Sequence, residues 1–432
     1  MRLLPAAPEG PVDDIGVPRD SLPFELSVVM PCLNEEQTLP ACIAAAQRGI
    51  AVLGLRGEVV VADNGSSDGS VELATRLGAR VVSVWEKGYG AALRGGITAA
   101  RGRYIVMGDA DGSYDFALLG PFLKELQAGQ ALVMGNRFRG RIEPGAMPWK
   151  NRYIGNPVLT AIGRVMFRAK VGDFHCGLRA MTRELFDRLD LRATGMEFAS
   201  EMVIKASLHG EAMTEVPITL HPDGRSRAPH LRPWRDGWRH LRFMLLFSPA
   251  WLFLLPGLVA FGGGLGVGAW LLGGSRKLGP LWLDIHTLLV AAVTLLVGHQ
   301  LLVFGSFAKR FAVSEGLHPP TPTPRWLPRN APWLEIGAFV GIALGLAGLL
   351  SMGLAVNTWR ATGFKALEPR ESMRQLIPGI VLAMLGVQTL FASFFLGVLS
   401  LKTRLRAGGN PESLIPPPLA AAAARAQSPL DR

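Results

Sequence analysis

Four long apolar stretches fill most of the second half of the chain and constrain its fold more than any other feature. They lie at about 247–272, 285–307, 335–356 and 376–399. Each is close to the roughly 20 residues with which an α-helix crosses a bilayer. We therefore expect a four-helix transmembrane region over residues 247–401. Within it, His299, Gln300 and Gln388 serve either a function or hydrogen bonds between helices.

Taken together, the segments before the first stretch, between the second and third, and after the fourth carry more Lys and Arg than the other two connectors, although the connector after the third stretch is as basic as the one before it. Because such segments stay in the cytoplasm, we expect a multi-pass membrane protein whose first half and both termini are cytoplasmic. Residues 1–24 lack the basic start and apolar core of a secretory signal, and we expect them and the tail at 402–432 to be disordered. This charge placement explains the net charge of +11 without a nucleic-acid partner.

Residues 231–246 have the pattern of an amphipathic helix. Leu231, Trp234 and Trp238 begin a series of apolar residues spaced three and four apart, with arginines between them. This pattern is typical of a helix that lies on a membrane surface, here directly before the first span. A surface helix that packs on a protein core is the alternative.

The first half, over residues 25–230, alternates short runs rich in Val and Ile with helix-like segments. The runs are Leu26–Met30, Glu58–Ala62, Ala79–Val84, Tyr104–Gly108 and Ala131–Gly135. This alternation predicts an α/β domain with a mostly parallel sheet covered on both faces. Polar clusters follow the runs, at the sheet edge where such domains bind ligands. These clusters are Asn34–Glu35, Asp63–Asn64, Glu86–Lys87, Asp109–Asp111 and Asn136–Arg137.

Asp109 and Asp111 form the clearest candidate metal site. Two carboxylates at positions i and i+2 after a strand can share a divalent cation, whose other positions take diphosphate oxygens and water. An acidic turn without a metal is the alternative. A calcium-binding loop is excluded, because Tyr114 and Gly120 occupy the positions, counted from Asp109, that require Gly and Glu.

Two other clusters have two interpretations each. Asp63 either accepts hydrogen bonds from a nucleoside base or ribose, which we favour, or belongs to a turn that leads to Asp68 as a helix N-cap. Asn34, with Gln37, either faces a ligand or caps the next helix. The three cysteines show neither disulfide nor zinc-ligand spacing, which indicates reduced thiols.

In their shared order, six segments resemble the catalytic domain of glycosyltransferase family 2, and most closely its dolichyl-phosphate mannose synthase and polyprenyl-phosphate glycosyltransferase branch. The resemblance covers about residues 25–245. The segments are Val28–Glu36, Asp63–Asp68, Lys87–Ala92, Asp109–Gly112, Gly135–Phe138 and Asp173–Ala180. This resemblance implies a GT-A, Rossmann-like fold over residues 25–230 and a divalent metal, Mg²⁺ or Mn²⁺, as cofactor.

The resemblance also implies roles for single residues. Asp109 and Asp111 would bind the metal and, with Arg137, form the catalytic set. Arg137 would meet the acceptor phosphate, which a guanidinium fork fits well, whereas a surface salt bridge is the alternative. The implied donor-binding residues are Pro31, Asn34, Glu35, Asp63, Lys87, Asp109 and Ala110.

Five further residues have assignments with open alternatives. Arg225 and Arg227 precede the amphipathic helix and either hold a phosphate, of the acceptor or the donor, or only set membrane topology. Glu197 and Glu201 lie four apart and either orient the sugar hydroxyls or solvate a helix face. Asp173 is a third candidate for orienting the sugar.

Together, these expectations predict an enzyme that transfers one hexose, with inversion, from a UDP- or GDP-linked sugar to polyprenyl phosphate. The Gln-x-x-Arg-Trp element of processive synthases is missing, which favours a single transfer. One alternative is transfer to a lipid hydroxyl such as that of diacylglycerol, with Glu197, Glu201 or Asp173 as base. Another is a non-catalytic subunit that senses nucleotide-sugar. Membrane lipids are expected partners, and a homo-oligomer is compatible with the sequence.

Overall fold

The computed structural model describes residues 24–225, 233–319 and 332–401. These residues form two compact units: the first extends to Leu252 and includes residues 315–319, and the second contains the remainder. The expected disorder at both termini concerns residues that, apart from Phe24, lie outside the described ones, as does Arg227. Phe24 itself begins the first strand, so the terminal segment was predicted one residue too long.

Within the described residues, the first unit contains one seven-stranded sheet, ordered β3-β2-β1-β4-β6-β5-β7. Its strands are β1 (Phe24–Cys32), β2 (Gly57–Asp63), β3 (Arg80–Ser83), β4 (Gly102–Met107), β5 (Leu132–Ile142), β6 (Arg179–Thr182) and β7 (Met213–Leu220). β6 runs antiparallel to β4 and β5, while the other pairings are parallel. The carboxyl ends of β1, β2, β4 and β5 therefore lie at the same edge of the sheet, as predicted.

The five strands predicted from apolar runs are all present, but β6 and β7 were missed. β6 has only four residues and starts with the charged Arg179. β7 contains Pro217 and interrupts its apolar residues with Thr214, Glu215 and Thr219, which weakens the apolar signal on which the prediction relied.

Eight α-helices lie among the described residues of the first unit. They are α1 (Leu39–Val52), α2 (Ser70–Arg76), α3 (Tyr89–Ala99), α4 (Gly120–Gln127), α5 (Asn156–Phe167), α6 (Arg183–Leu189), α7 (Phe198–His209) and α8 (Pro233–Leu246). They cover both sheet faces: Val28 and Met30 of β1 enter one core with α1 and α4, while Val29 enters the other with α3 and α7. Burial on both faces explains why β1 is a continuous apolar run.

The amphipathic helix α8 packs on the second core through Met244, Phe243 and Phe247. Its other side leaves Trp238 and Leu246 more than half exposed. The core-packing alternative therefore holds for one face of α8, while the opposite face keeps the apolar exposure expected of a membrane-surface helix.

The second unit contains four long helices and a short hairpin within the described residues. They are α9 (Leu255–Leu272), β8 (Arg276–Leu278), β9 (Leu281–Leu283), α10 (Ile285–Ser314), α11 (Trp333–Ala361) and α12 (Pro369–Ser400). Counting α9 together with the short π-helical segment before it, all four helices are long and apolar enough to cross a membrane. The four predicted spans are therefore present, and three of the helices extend beyond the predicted limits because their polar ends continue the helix.

Candidate active site

Asn34 joins the loops after β1 and β2, and Asp63 orders the second of these loops. Asn34 has a positive φ of 60°, and its Oδ1 accepts a 2.8 Å hydrogen bond from the Ser67 amide. Asp63 is 6% exposed and accepts hydrogen bonds from the amides of Gly65 and Ser66 at 3.0 and 3.1 Å. The capping alternative for Asn34 is wrong, because α1 begins only at Leu39. Both side chains shape the loops in which the donor-binding residues were predicted.

Lys87 stands beside the loop that follows β2. Its Nζ donates a 2.6 Å hydrogen bond to the carbonyl of Asn64, while the Asn64 side chain binds the carbonyls of Val84 and Glu86. Asn64 thus joins the β2 and β3 ends and holds the cationic group at this edge. Its structural role was not recognised from sequence, since its partners lie 20 or more residues away.

Asp109 and Asp111 follow β4 in a tight turn, in which Gly112 has a φ of +81°. Tyr89 donates a 2.8 Å hydrogen bond to Asp109 Oδ1, and the Ser113 amide and hydroxyl donate to Asp111 Oδ1 at 3.0 and 2.5 Å. Burial, followed by the neighbouring charge of Asp111, raises the pKa of Asp109 to about 6. The fold therefore holds the carboxylates of Asp109 and Asp111 close together despite their electrostatic repulsion.

This donor set fits a hard divalent cation. Each side chain has one oxygen oriented by a hydroxyl or amide donor, and a cation between them would relieve the repulsion that raises the Asp109 pKa. No cluster of three metal-ligating side chains occurs in the described part of the chain. Substrate diphosphate oxygens and water would complete the coordination.

Arg225 lies against the carboxylates of this edge. Its Nε is 2.9 Å from Glu35 Oε2, and its Nη2 is 3.5 Å from Asp111 Oδ2. The same segment is fixed by a 2.9 Å hydrogen bond from the Gly224 amide to the Asp111 carbonyl. On the other side, Thr38 Oγ1 donates a 2.6 Å hydrogen bond to the Ala110 carbonyl. Arg225 is therefore next to the predicted metal and donor residues.

Arg137 is held by Asp173 in a two-point ion pair. Arg137 Nε lies 2.7 Å from Asp173 Oδ2, and Nη2 lies 2.8 Å from Oδ1. Asp173 is fully buried and Arg137 is 8% exposed, so the surface-salt-bridge alternative is wrong. Although burial disfavours its charge, the Asp173 carboxylate raises the pKa of Arg137 above its usual value. The guanidinium is thus fixed and permanently charged.

Glu197 and Glu201 have separate surroundings. Glu201 is 1% exposed, pairs with Lys205 at 2.8 Å, and accepts hydrogen bonds from the amides of Arg192 and Ala193. The solvated-face alternative is therefore wrong for Glu201, which anchors the segment before α7. Glu197 precedes α7 and lies 3.3 Å from Arg239 Nη2 on α8.

Two residues around the site, Gly177 and His175, were not singled out from sequence. A Cβ on Gly177 would lie 2.7 Å from Asp109 Oδ2 and 3.0 Å from the Tyr114 hydroxyl, so glycine allows the loop to approach the acidic pair. His175 has both ring nitrogens buried without a hydrogen-bond partner among the described residues. The order of Asp173, His175 and Gly177 along one short loop was the available signal.

Family models match most of both units. The model for "Glycosyl transferase family 2" matches residues 27–190, and that for "Glycosyltransferase family 2 C-terminal transmembrane region" matches residues 306–400. The low-salt glycan biosynthesis hexosyltransferase Agl6 of Haloferax volcanii is 40% identical over 381 residues, covering 87% of this chain and 89% of that protein. The chain belongs to glycosyltransferase family 2. It is therefore a glycosyltransferase with a GT-A catalytic domain, and the alternative of a non-catalytic subunit is set aside.

Other proteins match shorter parts of the chain. A dolichyl-phosphate hexose transferase of Haloferax volcanii is 33% identical, covering 49% of this chain and 89% of its own length. Crystal structures of glucosyl-3-phosphoglycerate synthase from Mycobacterium tuberculosis include one with Mn²⁺ and UDP, which is 24% identical with a TM-score of 0.39 and covers 54% of this chain and 82% of that one. The family model for the C-terminal region and the four apolar helices identify this family member as a membrane protein.

Proposed function

We propose that this glycosyltransferase moves a single hexose, with inversion, from a nucleoside-diphosphate sugar to polyprenyl phosphate, at the cytoplasmic face of a membrane. The name of the Haloferax dolichyl-phosphate hexose transferase supports a lipid-phosphate acceptor. The four apolar helices support an acceptor that resides in the bilayer. The concentration of Lys and Arg around the spans supports the cytoplasmic orientation.

The donor would bind at the ends of β1, β2 and β4. Asp63, in its tight turn, would accept hydrogen bonds from the nucleoside, with Pro31, Asn34 and Glu35 as the neighbouring wall. Lys87 would neutralise part of the diphosphate charge. These roles follow from the position of each residue at one sheet edge, where open α/β sheets bind ligands.

Asp109 and Asp111, with the Ala110 backbone between them, would hold Mg²⁺ or Mn²⁺ against the donor diphosphate. The bound cation would neutralise charge that develops on the leaving nucleoside diphosphate. Tyr89 and Ser113 keep the two carboxylates oriented. Arg225, 3.5 Å from Asp111, would add a second positive charge beside the diphosphate or the acceptor phosphate.

Arg137 would bind the acceptor phosphate, with Asp173 as the group that positions its guanidinium. A phosphate oxygen is already ionised and needs orientation rather than deprotonation. The observation that carries this choice of acceptor is that each candidate base faces a cation. Asp173 pairs with Arg137 and Glu201 with Lys205. Glu197 Oε2 has no hydrogen-bond partner among the described residues but lies 3.3 Å from Arg239. A hydroxyl acceptor would require one of these carboxylates to be free to take a proton.

The mass and stereochemistry of the product test this function. Purified full-length protein in nanodiscs would receive labelled UDP- and GDP-hexoses with either undecaprenyl phosphate or diacylglycerol. We expect a polyprenyl-phosphate monohexoside whose anomeric configuration is opposite to that of the donor. A glycosylated diacylglycerol as the main product, or retention of configuration, would contradict the proposal.

A further inference from the structure

A cavity of about 870 Å³ opens on the catalytic unit beside β5 and the end of α5. Four cationic side chains line it: Arg139, Arg164, Arg168 and Lys170. They come from β5, from α5 and from the loop after α5, so the fold brings them together around one space. We call this space the basic cavity. Its lining does not include Arg137, whose guanidinium pairs with Asp173.

The basic cavity contains more positive charge than its acidic neighbour can neutralise. Glu215 is the acid in its lining, and it lies 3.9 Å from Arg139. That carboxylate already accepts hydrogen bonds from Asn136 and from the amides of Gly172 and Asp173. Within the described residues, Arg164, Arg168 and Lys170 form no ion pair and are exposed. Such a concave group of cations is suited to a phosphate-bearing ligand.

An exposed apolar stripe on α5 leads into the basic cavity. Val158, Ala161 and Val165 are exposed on one face of α5, and Ile154, in the π-helical turn Asn151–Gly155 directly before α5, is exposed four residues ahead of Val158. Ala161 and Val165 also line the cavity. We call these four residues the α5 stripe. An apolar helix face rimmed by Arg and Lys matches the interfacial region of a bilayer.

The catalytic unit is joined to the first apolar span by a short connection. Helix α5 packs beside α8, and α8 ends at Leu246, shortly before the first apolar span begins at Ala250. This short connection ties the unit that carries the basic cavity to a bilayer, whose lipid headgroups bear phosphate.

We propose that the basic cavity binds the phosphate headgroup of an anionic phospholipid, whose acyl chains lie along the α5 stripe. This lipid is distinct from the sugar acceptor and is not consumed. Its site is independent of the proposed reaction, so either one can fail without the other. Occupation of the site would fix the tilt of the catalytic unit on the membrane surface.

Native mass spectrometry of the full chain in detergent tests this site, with phosphatidylglycerol and phosphatidylcholine as probes. We expect a preferential phosphatidylglycerol adduct on the wild-type protein. The triple variant Arg164→Gln/Arg168→Gln/Lys170→Gln should bind it at least about tenfold more weakly, because each cation near a lipid surface contributes to anionic-lipid binding. The matched control Arg48→Gln/Arg76→Gln/Lys124→Gln removes the same charge from exposed positions on other helices and should bind like the wild type.

Two further measurements keep the result interpretable. The variant Arg164→Lys/Arg168→Lys retains the charge and should retain most of the binding, which separates loss of charge from damage to the fold. Inorganic phosphate, added as a competitor, should displace phosphatidylglycerol only weakly because it lacks the acyl chains. Equal lipid binding by wild type and triple variant, an equal loss in the control, or full displacement by phosphate would overturn the proposal.

Discussion

Two histidines, one in each compact unit, are held in opposite ways. In the membrane unit, His299 Nδ1 lies 2.9 Å from Gln388 Oε1, and its Nε2 lies 3.2 Å from the Thr389 hydroxyl. In the catalytic unit, both nitrogens of His175 are buried without a hydrogen-bond partner among the described residues. Neighbouring side chains thus supply hydrogen-bond partners for the imidazole of His299, whereas the imidazole of His175 has none among the described residues.

This difference in hydrogen bonding indicates that the catalytic unit, rather than the membrane unit, binds the ligand. A polar group among apolar spans has no water to bind, so the spans supply the partners themselves. This favours helix packing over a functional role for His299 and Gln388. In the catalytic unit, His175, unpartnered in the described part of the chain, belongs to the short loop whose Gly177 approaches Asp109, and unsatisfied buried groups often mark sites completed by a ligand or water.

Replacement of Asp111 by Ala should have the largest effect. It tests whether the catalytic unit binds a metal ion at its acidic pair. Removing one of the two metal-binding carboxylates should lower the rate of metal-dependent sugar transfer by about a thousandfold. The measurement is the initial rate at several Mg²⁺ and Mn²⁺ concentrations in nanodiscs. Glu72→Ala, which removes an exposed acid from α2, is the matched control and should transfer normally. Full activity of the Asp111 variant would remove the basis of the metal assignment.

Replacing Gly177 by Ala tests its close approach to Asp109, because the added methyl group does not fit between them. Because a Cβ would lie 2.7 Å from Asp109 Oδ2, Gly177→Ala should displace this carboxylate and lower the transfer rate on the order of a hundredfold. The concentration of Mn²⁺ needed for half-maximal rate should rise. In Gly120→Ala the nearest heavy atom is 3.7 Å away, and its kinetics should match the wild type. Unchanged metal dependence in Gly177→Ala would contradict the inferred crowding.

His175 should make the stability of the catalytic unit depend on pH. Burial, with the positive fields of His240 on α8, Arg137 and Arg179, lowers the pKa of His175 well below its usual 6.5. The adjacent Asp173 is already paired with Arg137. The unfolded chain therefore binds a proton at this position that the folded chain does not, and the contribution of His175 to stability falls as the pH drops below about 6.5, by at most about 1.4 kcal/mol per pH unit. The raised pKa of Asp109 acts in the opposite direction, so the comparison between variants isolates His175.

Thermal unfolding of the full chain in detergent, at pH values from 7.5 to 5, measures this dependence. His175→Asn should flatten the acid side of the curve, whereas His209→Asn, at the exposed end of α7, should leave it unchanged. An identical acid limb in both variants would show that His175 is not the titrating group.

His299→Leu should have the smallest effect and sharpens the contrast between the units. Losing its hydrogen bonds to α12 should cost about 0.6–2 kcal/mol of helix association, seen as a modest fall in the unfolding temperature in detergent. Sugar transfer in nanodiscs should stay within about twofold of the wild type, since membrane packing alone changes. A loss comparable to that of Asp111→Ala would assign His299 a function in the reaction.

Features encoded in a few consecutive residues could be predicted from the sequence alone. The apolar run of β1 and the spacing of Asp109 and Asp111 were visible because each lies in a few consecutive residues. Strand β6 was hidden because Arg179 is fully buried, and only the folded chain supplies the carbonyls of Phe174 and Cys176 that accept its hydrogen bonds. The contact between Arg225 and Glu35 joins residues 190 positions apart, and no local pattern encodes such a pair.

The most direct test of the proposed reaction is the transfer of labelled hexose into a lipid phase. The full-length protein in nanodiscs would be incubated with a panel of UDP- and GDP-hexoses, undecaprenyl phosphate and Mg²⁺ or Mn²⁺, beside its Asp111→Ala variant. We predict one polyprenyl-phosphate monohexoside, formed only with metal and only by the wild-type protein. The absence of a lipid-linked product with every donor, or its equal formation by Asp111→Ala, would contradict the account.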